Sequence, residues 1–196
     1  TILASATVPT AAAARLSLAG RGAVLIKVEP RDGGDPMGYM GARKGDISSW
    51  FAGCNRGKES IKIDLKTEAG QAVIRDMASQ VDVVIHNFRP GTMDTLNLGC
   101  DALRAINSRL VYMAISGFGT EGPLRRAPAY DPIIQAHSGM TATQGGGDSP
   151  AFIRSLLCDK ITAYTACQAV TSALFVEVVL LTLQDELVTL ARVVEP

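Results

Sequence analysis

The strongest constraint on this fold comes from apolar runs that are too short for helices and too continuous for half-exposed strands. Val81 to His86 carries VDVVI, and Leu110 to Ser116 reads LVYMAIS. Such runs suit strands buried on both faces, as in a parallel sheet covered by helices. Each follows a helical pattern. Before the first, Thr67 is placed to cap, Glu68 falls in the first turn, and Ala72, Val73, Met77 and Ala78 form an apolar stripe that ends near Gln80. Before the second, a short helix is predicted around Cys100 to Asn107. An earlier unit has the same order: Ala11 to Arg21 reads as helix, Gly22 stops it, and Ala23-Val24-Leu25-Ile26 begins a strand. Three helix-to-strand alternations predict an α/β domain on a mainly parallel, open, Rossmann-like sheet. With 196 residues, 47% of them hydrophobic, one principal domain is expected over 1–196.

Charge and cysteine usage narrow the function classes. The 19 basic and 19 acidic residues are spread along the chain and cancel, which leaves no footprint of a nucleic-acid or membrane-surface binder. Small molecules or another subunit are the expected partners. Cys54, Cys100, Cys158 and Cys167 show no CxxC spacing, and no charged leader precedes an apolar run, so a reduced, cytoplasmic protein is expected. Ile161 to Val176 is uncharged but falls short of the roughly 20 apolar residues of a membrane span, and reads as a buried helix. His86 and His137 have no Cys or carboxylate at zinc-ligand spacing, so no metal is expected. GxSxG is absent. Gly117-Phe118-Gly119 holds two glycines of a dinucleotide fingerprint, and Gly145 to Gly147 reads as flexible loop within Thr143 to Pro150, TQGGGDSP.

Ligands of an open parallel sheet bind beyond the carboxyl ends of its strands. The residues found there are Lys27-Val28-Glu29-Pro30-Arg31, His86-Asn87-Phe88-Arg89-Pro90-Gly91 and Gly117-Phe118-Gly119. Cations, an amide and aromatic rings on one rim suit a long ligand with phosphates and a heteroaromatic base. A separate question attaches to SLLCDKITAYTACQAV, Ser155 to Val170, where Asp159 and Lys160 interrupt an uncharged run. Asp159 is either the N-cap of a small-residue helix or a partly dry carboxylate that does chemistry, and the two uses are compatible.

Six segments in order carry a resemblance: IKVEPRDGGDP from Ile26, NRGKESIKIDLKTEAG from Asn55, VDVVIHNFRPGTMD from Val81, ISGFGTEGP from Ile115, AYDPIIQAHSGM from Ala129, and Asp159 before its small-residue helix. Together they resemble the class III CoA-transferases, a family that includes formyl-CoA transferase, carnitine CoA-transferase and α-methylacyl-CoA racemase. The resemblance implies that Asp159 is a nucleophile whose carboxylate becomes a mixed anhydride and then an aspartyl-CoA thioester. It implies CoA contacts at Arg31, Ile63, Lys66, Asn87, Phe88, Thr95 and Leu96, with Arg31 and Lys66 toward phosphates and Ile63 and Leu96 along the nucleotide. At Thr95 a basic side chain of some relatives is missing. Acyl-CoA and a small carboxylic acid are the implied substrates, and an interlocked homodimer is the implied assembly.

Tyr130 and Asp131 are expected to support the site beside the nucleophile. Where racemases of the family carry an acid/base histidine this chain has Tyr130, and a phenol is a poor base at neutral pH, which favours the transferase. Racemisation of a 2-methylacyl-CoA and a silent CoA-binding module are the alternatives. Relatives are about twice as long and continue into a second, smaller domain, which the resemblance leads one to expect is missing from this stretch. The junction at Phe175-Val176 reads as a place where residues are omitted, and no first strand is recognisable in TILASATVPTAAAAR.

Overall fold

The computed structural model describes residues 1–5 and 22–194, with side chains as far as 179. The strands are β1 (Ile2–Ser5), β2 (Leu25–Glu29), β3 (Arg43–Lys44), β4 (Ile47–Ser48), β5 (Glu59–Lys62), β6 (Val83–His86) and β7 (Val111–Ala114). The helices are α1 (Ser49–Cys54), α2 (Glu68–Ala78), α3 (Thr92–Thr95), α4 (Cys100–Ile106), α5 (Asp131–His137), α6 (Met140–Gly145) and α7 (Leu157–Val194). Five strands form one parallel sheet in the order β5-β2-β1-β6-β7, and β3 and β4 pair as a separate antiparallel hairpin. The α/β class with a parallel sheet is as predicted.

The middle strand is the one the sequence concealed. β1 lies between β2 and β6, with Leu3 level with Ile26 on one side and Val84 on the other. Ile2, Leu3 and Ala4 are all buried. Four residues, ILAS, are too few to display a period, and only long-range pairing makes them a strand. The helix expected over Ala11 to Arg21 lies outside the described residues.

Strand register explains the continuous apolar runs. Leu3, Val28 and Val84 point to one face and join Ile74 and Ala78 of α2 and Leu103 of α4. Ile2, Ala4, Leu25, Val83 and Ile85 point to the other and join Cys167 and Val170 of α7. Each large aliphatic buried in this way contributes about 1.5–3 kcal/mol. Helix α2 begins as expected, with Thr67 Oγ1 accepting the Gly70 N–H at 3.1 Å. Its buried stripe has a different phase, however. Gly70, Ile74 and Ala78 face the sheet, Met77 is half-buried, and Ala72 and Val73 are exposed. A Cβ at Gly70 would stand 2.0 Å from the Asp64 carbonyl oxygen, so the segment leading from β5 packs back on this helix at a glycine that a count of apolar residues overlooks.

Two further expectations are corrected. Thr143 to Gly145 closes α6 rather than belonging to loop. The stretch Leu157–Val179 is, by length and composition, long and apolar enough to cross a membrane, with mean hydropathy 1.2. One side of it packs on the sheet through Cys167 and Val170, while Ile161, Tyr164, Phe175, Val176 and Val178 are exposed. The helix runs unbroken across Phe175-Val176.

Candidate active site

The strand order turns back on itself at β1, and the crevice beyond its carboxyl end is where an open sheet takes a ligand. A groove of about 440 Å³ lies there, lined by Ser5, Glu29 to Asp32, Ile63 to Lys66, Phe88, Thr92 and Leu96. It brings together Arg31, Ile63, Lys66, Phe88 and Leu96 from four separate segments. Arg31 and Lys66 are exposed and form no ion pair among the described residues. Thr95 is not in this lining. Its hydroxyl donates to the Thr92 carbonyl at 2.7 Å within α3, and Thr92 takes the place in the groove.

Neighbouring Asn87 and Phe88 are set by a buried histidine. His86, 5% exposed, accepts the Phe88 N–H at Nδ1, 3.2 Å away, and its ring meets those of Phe88 and Tyr112 at 6.0 and 5.2 Å. Burial lowers its pKa to about 4, against the opposing pull of Asp94. A neutral imidazole therefore keeps its Nδ1 lone pair for the turn. Burial, with help from Asp94, raises the Tyr112 phenol.

Phe88 lines the groove and also a cavity of about 230 Å³ that contains Asn87, Arg89, Arg125, Tyr130, Asp131, Cys158 and Asp159. A larger cavity of about 690 Å³, with Met37, Trp50, Phe152, Arg154, Leu156 and Lys160, also reaches Asp131 and Asp159. Asp159 thus stands on the partition between two chambers. Gly117 makes the closure possible, because a Cβ there would lie 2.1 Å from the Ala129 Cβ. That glycine serves the approach of the β7 loop to the start of α5.

Asp159 is not the N-cap of its helix. It is the third residue of α7, and its backbone N–H donates to Asp131 Oδ2 at 2.9 Å. The cap comes from across the site. Asp131, 4% exposed, also accepts from Gln135 Nε2 at 2.5 Å. Gln135, 2% exposed, accepts the Ile153 N–H at 2.9 Å and donates to the Ser155 carbonyl at 3.1 Å. Tyr130 is 62% exposed and lines the smaller cavity. Cys158 is buried, and burial, then the carboxylates of Asp131 and Asp159, push its thiol up, so it is no rival nucleophile at neutral pH.

The profile of CoA-transferase family III matches residues 1–178, and the chain belongs to that family. It is 46% identical over 129 residues to the acetyl-CoA:oxalate CoA-transferase of Acetobacter aceti, which covers 66% of this chain and 33% of that one. To the succinyl-CoA–D-citramalate CoA-transferase of Chloroflexus aurantiacus it is 42% identical over 134 residues, 68% of this chain and 33% of the other. A solved CAIB/BAIF family protein from Brucella suis superposes with a TM-score of 0.84 at 33% identity, over 90% of this chain and 48% of its own. The chain therefore spans about a third of these curated relatives and about half of the solved one.

The sequence reading had named Asn87, Phe88, Tyr130, Asp131 and Asp159, and all five meet in one cavity. It had passed over Gln135, Trp50, Arg125 and Arg154. Gln135 left one signal, its spacing of four after Asp131, which puts both on one helix face.

Proposed function

We propose that this chain carries the CoA-binding and nucleophile-bearing part of an enzyme that moves CoA from an acyl thioester to a free carboxylic acid. The observation that carries this reading is the position of Asp159 on the partition between two chambers, one of which shares Phe88 with the groove of Arg31 and Lys66. The Asp159 carboxylate attacks the thioester carbonyl, the C–S bond breaks, and a mixed anhydride forms with release of CoA thiolate. The thiolate then attacks the aspartyl carbonyl, which expels the donor acid and leaves an aspartyl-CoA thioester. An incoming carboxylate attacks that thioester, releases the thiolate again, and receives it from the second anhydride as Asp159 is regenerated. No net proton is consumed, and the covalent carrier splits one difficult exchange into easier steps.

Arg31 and Lys66 are assigned to phosphates, Ile63 and Leu96 to the nucleotide, and the smaller cavity to the thioester end. The larger cavity is assigned to the acyl group and acceptor acid. Its Arg154 and Lys160 support an acceptor with a second carboxylate, in keeping with relatives named for oxalate and D-citramalate. A homodimer belongs to the same reading, supported by the exposed Phe175, Val176 and Val178 on α7.

The test is intact-mass spectrometry of the full-length protein after incubation with acetyl-, propionyl- or succinyl-CoA, with peptide mapping of any adduct. CoA gained on the Asp159 peptide, with Asp159→Ala retaining CoA affinity but losing exchange into oxalate, acetate or succinate, is the expected outcome. Substantial exchange by Asp159→Ala removes Asp159 from the mechanism. Loss of configuration in a separately supplied single-epimer 2-methylacyl-CoA, without exchange, points instead to racemisation.

A further inference from the structure

We infer that Asp131 and Gln135 form a positioning pair for the nucleophile, in which Asp131 holds the Asp159 main chain and Gln135 holds both Asp131 and the strap that leads into α7. The inference rests on the transferase reading of Asp159. It starts from a costly arrangement: Asp131 is 4% exposed and has no ion pair among the described residues. An unpaired buried carboxylate is tolerated only when N–H donors satisfy it. Two do so here, the Asp159 N–H on Oδ2 and Gln135 Nε2 on Oδ1. The two donors fall on different oxygens, and an asparagine would present an amide nitrogen at one of those two positions.

The orientation of Gln135 is equally constrained. Its Oε1 takes the Ile153 N–H, so Nε2 is left for Asp131 and for the Ser155 carbonyl. Ser155 in turn accepts the Leu157 N–H at 2.9 Å and, through its hydroxyl, Lys160 Nζ at 2.7 Å. Residues 153–160 are therefore braced as one piece against α5. The main chain of Asp159 is thereby fixed relative to α5. Because its N–H is already taken, the donors for a developing oxyanion must come from elsewhere.

The experiment measures exchange by the full-length protein with the same acyl-CoA and acid panel, for Asp131→Asn, Asp131→Ala and Gln135→Leu. Misplacing a reacting group by about 1 Å costs on the order of 100-fold. Asp131→Ala is expected to lose kcat by about that factor, and Asp131→Asn and Gln135→Leu by roughly tenfold or more. KM for acyl-CoA and the Kd of CoA should stay near wild type, since the groove of Arg31 and Lys66 is separate. Slower appearance of the Asp159 adduct should account for the loss. If Asp131→Ala does not fold, the isosteric Asp131→Asn decides. Unchanged kcat in the folded variants, or a loss carried by KM, overturns the pair alone. A wild-type protein with neither exchange nor adduct overturns the transferase reading and the pair together.

Discussion

Asp35 and Asp131 are almost equally buried, at 6% and 4% exposure, yet they are kept in the protein by opposite means. Lys27 reaches Asp35 and also Glu29, 3.0 Å away, with its ammonium 5.1 Å from the Phe51 ring centroid. Asp35 accepts the Met37 N–H at 2.8 Å as well, which fixes the wall of the larger cavity that holds Met37 and Trp50. Asp131, on the other wall, has only N–H donors among the described residues. The difference shows in the nearest thiols. At Cys54 burial leads, and Lys58 and Lys27 oppose the carboxylate of Asp35. At Cys158 burial is reinforced by Asp131 and Asp159, with no cation in opposition. A lysine-paired carboxylate holds a wall in place, whereas a carboxylate held by N–H groups ties two helices together at the reacting turn.

The largest expected effect breaks the ionic side of this contrast. Lys27→Met leaves Asp35 and Glu29 buried without their cation, and losing one partner of a buried pair costs about 3–5 kcal/mol. Urea unfolding measures that loss, and the folded fraction should retain kcat. A loss of less than about 1 kcal/mol would mean that the ionic cluster is no more structural than the N–H-held one.

His86 sharpens the contrast by a third means, since it stays buried by remaining neutral. Its folded pKa of about 4 lies below the ordinary value of 6.5. The unfolded chain therefore binds a proton in that window that the folded chain refuses. His86 stabilises fully above pH about 6.5, and that contribution is lost as pH falls toward 4, by up to about 3 kcal/mol. Protonation at Nδ1 also removes the acceptor of the Phe88 N–H, so CoA affinity should fall along with stability. Urea midpoints between pH 4 and 7 should slope in the wild type and flatten in His86→Gln. An equal slope in that variant would assign the effect to the carboxylates instead.

Legibility in the sequence followed chain locality. VDVVI and the Thr67 cap were readable because burial on both faces and a capping hydroxyl leave marks within a few residues. Strand β1 was not, because ILAS becomes the sheet centre only through β2 and β6. The phase of α2 was missed because its contact point is Gly70, whose value lies in the side chain it lacks. At the site, Asp159 was readable as an unusual carboxylate in an apolar run. Its capping partner was not, because Asp131 reaches it across 28 positions of sequence.

The smallest expected effect tests whether the two walls act on different quantities. Ser48 is fully buried, and its Oγ accepts the Phe51 N–H at 3.0 Å while donating to the Met37 carbonyl at 2.5 Å. Helix α1 is six residues long, too short to persist without its cap, and it carries Trp50 into the larger cavity. Ser48→Ala should cost about 1–2 kcal/mol of stability. The wall moves, whereas the Asp159 N–H is held by Asp131 on α5. KM for the acceptor acid should therefore rise several-fold while kcat holds, the reverse of the pattern expected for Asp131→Asn. If Ser48→Ala lowers kcat and spares KM, the ionic wall also sets the nucleophile, and the division between a wall-holding carboxylate and a nucleophile-holding one fails.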